Sequence, residues 1–199
     1  MLSPRSRWFA VRVALCATLL LPSVTQAQFC FRGQPRPHCG GFTILEFAAG
    51  TRLKTSVAHS GYDEANRFYL SWSGGYLHNL GVRSSLGAAF KVAADDDGDR
   101  YGPVLRYRQW LGNTWSLDLG PGLIMGGTDN VPGRLFPSLM LDLAINWGDR
   151  IALDAGLERV RREGALASSW DCHVGLRFET WLAPLATLGL GILAGATYN

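Results

Sequence analysis

The sequence predicts an all-β fold, an antiparallel up-and-down transmembrane β-barrel of about eight to ten strands. Three observations carry that reading. From Phe68 to Glu179, apolar and polar side chains alternate in segments of roughly ten residues, the period-two pattern of strands with two different faces. Short turns alternate with longer polar connections. Aromatic residues recur beside the short turns, where rings settle at a membrane interface.

Taken in order, the first segment runs from Gly41 to Leu53, with Leu45, Phe47 and Ala49 against Glu46, Ala48 and Gly50. Arg67 to Leu77 sets Phe68, Leu70, Trp72 and Tyr76 opposite Ser71, Ser73 and Gly75. Leu80 to Ala93 sets Val82, Leu86, Phe90 and Val92 against Arg83, Ser85, Gly87 and Lys91. Tyr101 to Leu111 opposes Tyr101, Leu105 and Tyr107 to Gly102, Arg106 and Arg108. Leu117, Leu119, Leu123 and Met125 then share one side, with Ser116, Asp118, Gly120 and Gly122 on the other. Leu139, Leu141, Leu143, Ile145 and Trp147 oppose Ser138, Asp142, Ala144 and Asn146. Ile151, Leu153, Ala155 and Leu157 oppose Asp154, Gly156 and Glu158, and Cys172, Val174, Leu176 and Phe178 oppose His173, Gly175, Arg177 and Glu179. A ninth segment, Leu185 to Tyr198, reads as a strand by its alternation; a short Gly-rich helix from Leu182 to Ala196 is the other reading. Nine is odd, and single-chain bacterial barrels have even strand numbers.

Connections mark the two ends. His78-Asn79, Gly112-Asn113 and Gly148-Asp149 are expected hairpin turns, in residues that tolerate positive φ. Lys54 to Asn66, Ala94 to Arg100, Gly127 to Arg134 and Arg161 to Ser169 are expected long loops. Tyr76, Trp110, Trp115, Trp147 and Trp181 would form one girdle at the turn end.

The polar face is made largely of Gly, Ser, Ala and Asp, small enough for a crowded lumen, whereas a soluble barrel would carry its charges outside. Its charges nearly balance: Arg83, Lys91, Arg106, Arg108 and Arg177 against Glu46, Asp118, Asp142, Asp154, Glu158 and Glu179, with His173 among them. Isolated buried charges are costly, so these are expected to form an internal ion-pair network. In alternation, girdle and loop lengths, the chain resembles the small outer-membrane β-barrels of Gram-negative bacteria. That resemblance rests on architecture and carries over no functional residue.

Residues 1–27 read as a secretory signal peptide: Arg5, Arg7 and Arg12 surround an apolar run, and Thr25-Gln26-Ala27 precedes the expected cleavage. All 16 acidic residues lie beyond Ala27, and three of the 19 basic ones do not. The mature chain is therefore formally neutral, and nothing points to a nucleic-acid partner. Residues 28–40 form a short segment in which Cys30 and Cys39 are a candidate disulfide in an oxidising compartment. Residues 41–199 make the barrel domain. An outer-membrane location, contact with membrane lipid and a monomeric state are the corresponding expectations.

Chemistry is thinly signalled. The adjacent His59-Ser60 lacks the geometry of a nucleophile and its base. His173 with Asp154 and Glu158 is the other candidate acid–base group, or else part of the packing network. Asp95-Asp96-Asp97-Gly98-Asp99 clusters carboxylates without the spacing of a calcium loop, and a solvated hairpin tip explains it equally well. No His or Cys cluster has metal-ligand spacing, so no cofactor is expected. The expected role is non-catalytic, either structural in the envelope or binding through surface loops. Alternatives are a lipid-modifying hydrolase or acyltransferase, and a small ion-conducting pore.

Overall fold

A computed structural model describes residues 40–53, 68–95, 98–129, 136–148, 150–160, 169–180 and 182–188 of the 199-residue chain. The leader, Cys30 and Cys39, His38, His59 and Ser60, Asp96 and Asp97, and Trp181 lie outside the described residues. So do the greater part of the long connections and the chain beyond Leu188.

The alternating segments become strands β1 (Gly41–Leu53), β2 (Phe68–Asn79), β3 (Ser84–Asp95), β4 (Gly98–Trp110), β5 (Trp115–Ile124), β6 (Gly126–Asp129), β7 (Ser138–Trp147), β8 (Ile151–Val160) and β9 (Ser169–Glu179). All pairings are antiparallel between staves adjacent in sequence, and β1 also pairs with β9, so the sheet closes. Full closure leaves no open edge.

Nine strand segments make eight staves because β5 and β6 are one stave interrupted at Met125; both pair with β4. Val104 faces Gly122 and Tyr101 faces Gly126, so three steps on β4 match four on its partner. The extra residue is a β-bulge, and the Met125 N–H donates to the Tyr101 carbonyl at 2.9 Å. The even strand number expected of this class is therefore restored.

Several boundaries move. Residues 126–129, expected in a loop, prolong the stave beyond the bulge. The expected loop from Ala94 to Arg100 is mostly strand, because β3 runs to Asp95 and β4 starts at Gly98. The first turn shifts to residues 80–83, so Leu80, Val82 and Arg83 leave the strand. Trp110 is 4% exposed and belongs to the interior, not to the girdle; Tyr76, Trp115 and Trp147 are outward and exposed. Trp115 and Trp147 stack across the β5–β7 pair with centroids 6.4 Å apart.

The ninth expected strand begins instead as a helix, α1, at residues 182–188. Leu185 and Leu188 are exposed while Ala183 is buried, the spacing of a two-faced helix, which a short apolar run shares with a strand. Pro184 sits in its first turn, where a missing N–H costs nothing. Helix α1 lies against the outside of the wall. The outward-pointing Phe47 is 0% exposed beneath this region, and the Trp72 indole N–H donates to Thr187 Oγ1 at 3.1 Å. Phe47 also packs on Trp72 and Phe178 of the neighbouring staves.

The two faces of the wall differ as a membrane requires. Leu105, Leu119, Leu143, Leu153 and Leu176 point outward and are exposed; Glu46, Arg106, Arg108, Asp118 and Glu158 point inward and are buried. In water, so continuous an apolar belt would drive aggregation. In hydrocarbon it matches its solvent, and the backbone polar groups are satisfied within the closed sheet.

Candidate functional site in the barrel lumen

Alternation aims every second residue of each stave into the lumen, so the site is layered by height. At the turn end, Phe42, Ile44, Leu77, Ala89 and Trp110 form an apolar layer. Phe42 and Trp110 meet edge to face at 5.9 Å, an arrangement favoured by the ring quadrupoles. Arg108 lies over the Phe42 ring at 5.9 Å and joins this layer to the charged one above.

The middle layer is a web of charge-assisted hydrogen bonds. Arg108 grips Asp118 with a two-pronged fork, Nε and Nη2 each donating at 2.7 Å, and Nη2 also reaches Glu179 Oε1 at 2.9 Å. Arg177 Nη2 donates to Asp118 Oδ2 and Asn146 Oδ1, both at 2.7 Å, and to Glu179 Oε1 at 3.1 Å. Glu46 Oε2 accepts from Arg106 Nη2 and the Ser73 hydroxyl, each at 2.6 Å. Lys91 Nζ donates to Asp142 at 2.7 Å. The carboxylates of Glu46, Asp118 and Glu179 converge, but guanidiniums stand among them and neutralise them. Charges this deeply buried are tolerable only when so paired.

Above this web, His173 stacks on Tyr69 with centroids 3.9 Å apart and planes at 17°. Its Nε2 lies 3.8 Å from Asp154 Oδ2, beyond hydrogen-bond reach. Gly156 makes room for the ring, since a Cβ there would collide with the imidazole. Nearest the loops, Arg100 forks onto Asp95 at 2.9 and 2.6 Å and reaches Glu158 at 2.8 Å. Arg52 meets Asp95 at 2.6 Å and Asp171 at 3.6 Å.

The structure thus brings together Glu46, Lys91, Arg106, Arg108, Asp118, Asp142, Asp154, Glu158, His173, Arg177 and Glu179 in the lumen. Arg83 does not join them. It is exposed in the turn between β2 and β3, where its carbonyl accepts from the Trp110 N–H at 2.9 Å, because β3 begins one residue after it. Sequence reasoning missed Arg52, Asp95, Arg100 and Asp171. Parity carried two steps past Gly50, and four past Lys91, would have found the first two.

A polar cavity of about 10 Å³ lies among Glu46, Ser71, Ser73, Lys91, Arg106 and Asp142, room for roughly one water. Chemically the arrangement is a rigid, neutralised plug. Among the described residues, His173 Nε2 has no hydrogen-bond partner.

No protein-family model matches the chain, and no curated protein matches it. Among solved structures, a de novo designed transmembrane β-barrel is similar at 11% identity and a TM-score of 0.38, covering 74% of this chain and 99% of the design. The Yersinia pestis outer membrane protein Ail, in a phospholipid bilayer nanodisc, is similar at 16% identity and 0.34, covering 68% and 99%. Crystalline Ail, the attachment invasion locus protein, bound to the heparin analogue sucrose octasulfate, is similar at 15% and 0.35, covering 71% and 99%. The fold stands on strand order and closure in this chain, and no residue role passes from these proteins to it.

Proposed function

We propose that the chain is an integral outer-membrane barrel with a non-catalytic role, structural in the envelope or binding at the cell surface through its loops. The observation that carries this is the lumen: a balanced ion-pair web above an apolar layer, inside a wall whose outer face is apolar. Such an interior fixes the shape of the barrel, and eight staves enclose an interior just wide enough for side chains to fill. Closure of β1 on β9 favours a monomer, because no sheet edge remains to pair. Among the described residues, the lumen histidine, His173, is held by stacking on Tyr69.

Three measurements on one strain series test the reading. Whole-cell labelling of cysteines introduced in the 54–67 and 161–168 connections should succeed from outside. A deletion strain should keep an unchanged lipid A and phospholipid profile by mass spectrometry. Purified protein in planar bilayers should give no conductance steps. An altered lipid profile, restored by wild type but not by His173→Ala, would replace this reading with an enzyme. Stable conductance steps would replace it with a pore.

A further inference from the structure

The small polar cavity at the centre of the ion-pair web is lined by the carboxylates of Glu46, Asp142 and Asp154 and by the cations Lys91, Arg106 and Arg177. An ion of either sign placed there would meet as many like charges as opposite ones, so the lining suits a neutral guest. Size narrows the choice further. The cavity measures about 10 Å³, and about 10–15 Å³ of such space holds a single water.

Unmet hydrogen-bonding groups on the same side chains give a second reason. Among the described residues, Glu46 Oε1, Arg106 Nε and Nη1, and Arg177 Nε are buried without a hydrogen-bond partner. These residues converge: Arg106 Nη2 donates to Glu46 Oε2 at 2.6 Å, and Arg177 Nη1 stands 3.8 Å from the same oxygen. Arg108 Nη2 lies 3.7 Å from Glu46 Oε1, close enough for attraction but beyond hydrogen-bond reach. An acceptor and several donors around one gap are the mixed set a water satisfies, since a buried water typically makes about three hydrogen bonds. Left unmet, such groups are costly in a low-dielectric interior.

We infer that one resident water occupies this cavity, donating to the Glu46 carboxylate and accepting from a lining guanidinium. It stands between the Lys91–Asp142 pair and the cluster around Glu46 and ties the two into one network. The site depends on the lumen lining alone, so the barrel's surface role does not bear on it.

A crystal structure of the folded mature barrel, at a resolution that shows ordered surface waters, tests it together with bromide and rubidium soaks. A density peak should stand in the cavity within hydrogen-bond reach of Glu46 and of a guanidinium, with no anomalous signal from either ion. In lipid nanodiscs, the Arg106 side-chain N–H should give a nuclear Overhauser cross-peak to water with the sign of a long-lived contact. Ala48 also lines the cavity, and Ala48→Val crowds the space with branched methyls. That variant should erase both signals and lower the folding equilibrium constant in urea about tenfold, as expected for buried groups left unmet. Ser71 is paired with Ala48 across the ladder, and Ser71→Val serves if the first variant does not fold. An empty cavity, an anomalous peak in it, a water exchanging as freely as bulk, or a filled variant as stable as wild type would each overturn the site.

Discussion

Removing Asp118 should cost this barrel about 3 kcal/mol. Its carboxylate is 0% exposed and accepts three hydrogen bonds at 2.7 Å, two from Arg108 and one from Arg177. Three charge-assisted bonds at about 1.5–3 kcal/mol each set a ceiling that Asp118→Ala will not reach. Both guanidiniums keep Glu179, and Arg177 keeps Asn146, so neither cation is stranded. The loss should fall at the lower end of the roughly 3–5 kcal/mol for breaking a buried pair. That is about a 150-fold drop in the folding equilibrium, at about 1.4 kcal/mol per decade. Urea unfolding from vesicles, followed by tryptophan fluorescence, measures it. The companion variant Asp118→Leu with Arg108→Met should recover at least half the loss, because an apolar pair of similar volume leaves no bare charge. A single-variant loss below about 1 kcal/mol, or a double variant worse than the single, would refute the view that neutralisation holds this lumen.

Other outcomes follow from the same geometry. Leu143→Arg, on the outward face, should impair insertion by about 2–4 kcal/mol, read as loss of the heat-modifiable band; normal insertion would mean the faces are assigned the wrong way round. Trp110→Ala should empty part of the turn-end apolar layer and cost about 3–5 kcal/mol in the same urea assay, and an unchanged midpoint would argue against that layer. Gly156→Ala should push His173 off Tyr69 and lower the unfolding midpoint, while Gly156→Ala with His173→Ala should recover it. Truncation after Thr180 should leave an inserted barrel with a lower thermal midpoint, since Phe47 loses its cover; an unchanged midpoint would make α1 energetically idle.

Most of the wall was legible because a two-sided strand writes its environment into every second residue. Leu117 to Leu123 and Leu141 to Trp147 alternate, and both became staves. What stayed hidden depended on things that parity does not encode. The bulge at Met125 shifts register by one residue and has no composition of its own. Nearness to a turn suggests a girdle place for Trp110, yet its even position beside Arg106 and Arg108 sends it inward. Asp95 and Arg100 were hidden by the acidic run around them, which resembles a solvated loop until their ion pair is seen. Residues 182–188 misled because a run so short, apolar except for Thr187, satisfies either period. The lumen network was foreseeable as a balanced set of charges, but which carboxylate each arginine grips depends on stave height, and that is set by register.

The hydrogen bond between Trp72 and Thr187 joins groups 115 residues apart in sequence. Helix α1 is tethered to β9, and its platform belongs to β1 and β2, so its docking spans the seam where the last stave meets the first. The indole of Trp72 is thus a natural reporter of that seam, since its emission responds to whether the helix covers it.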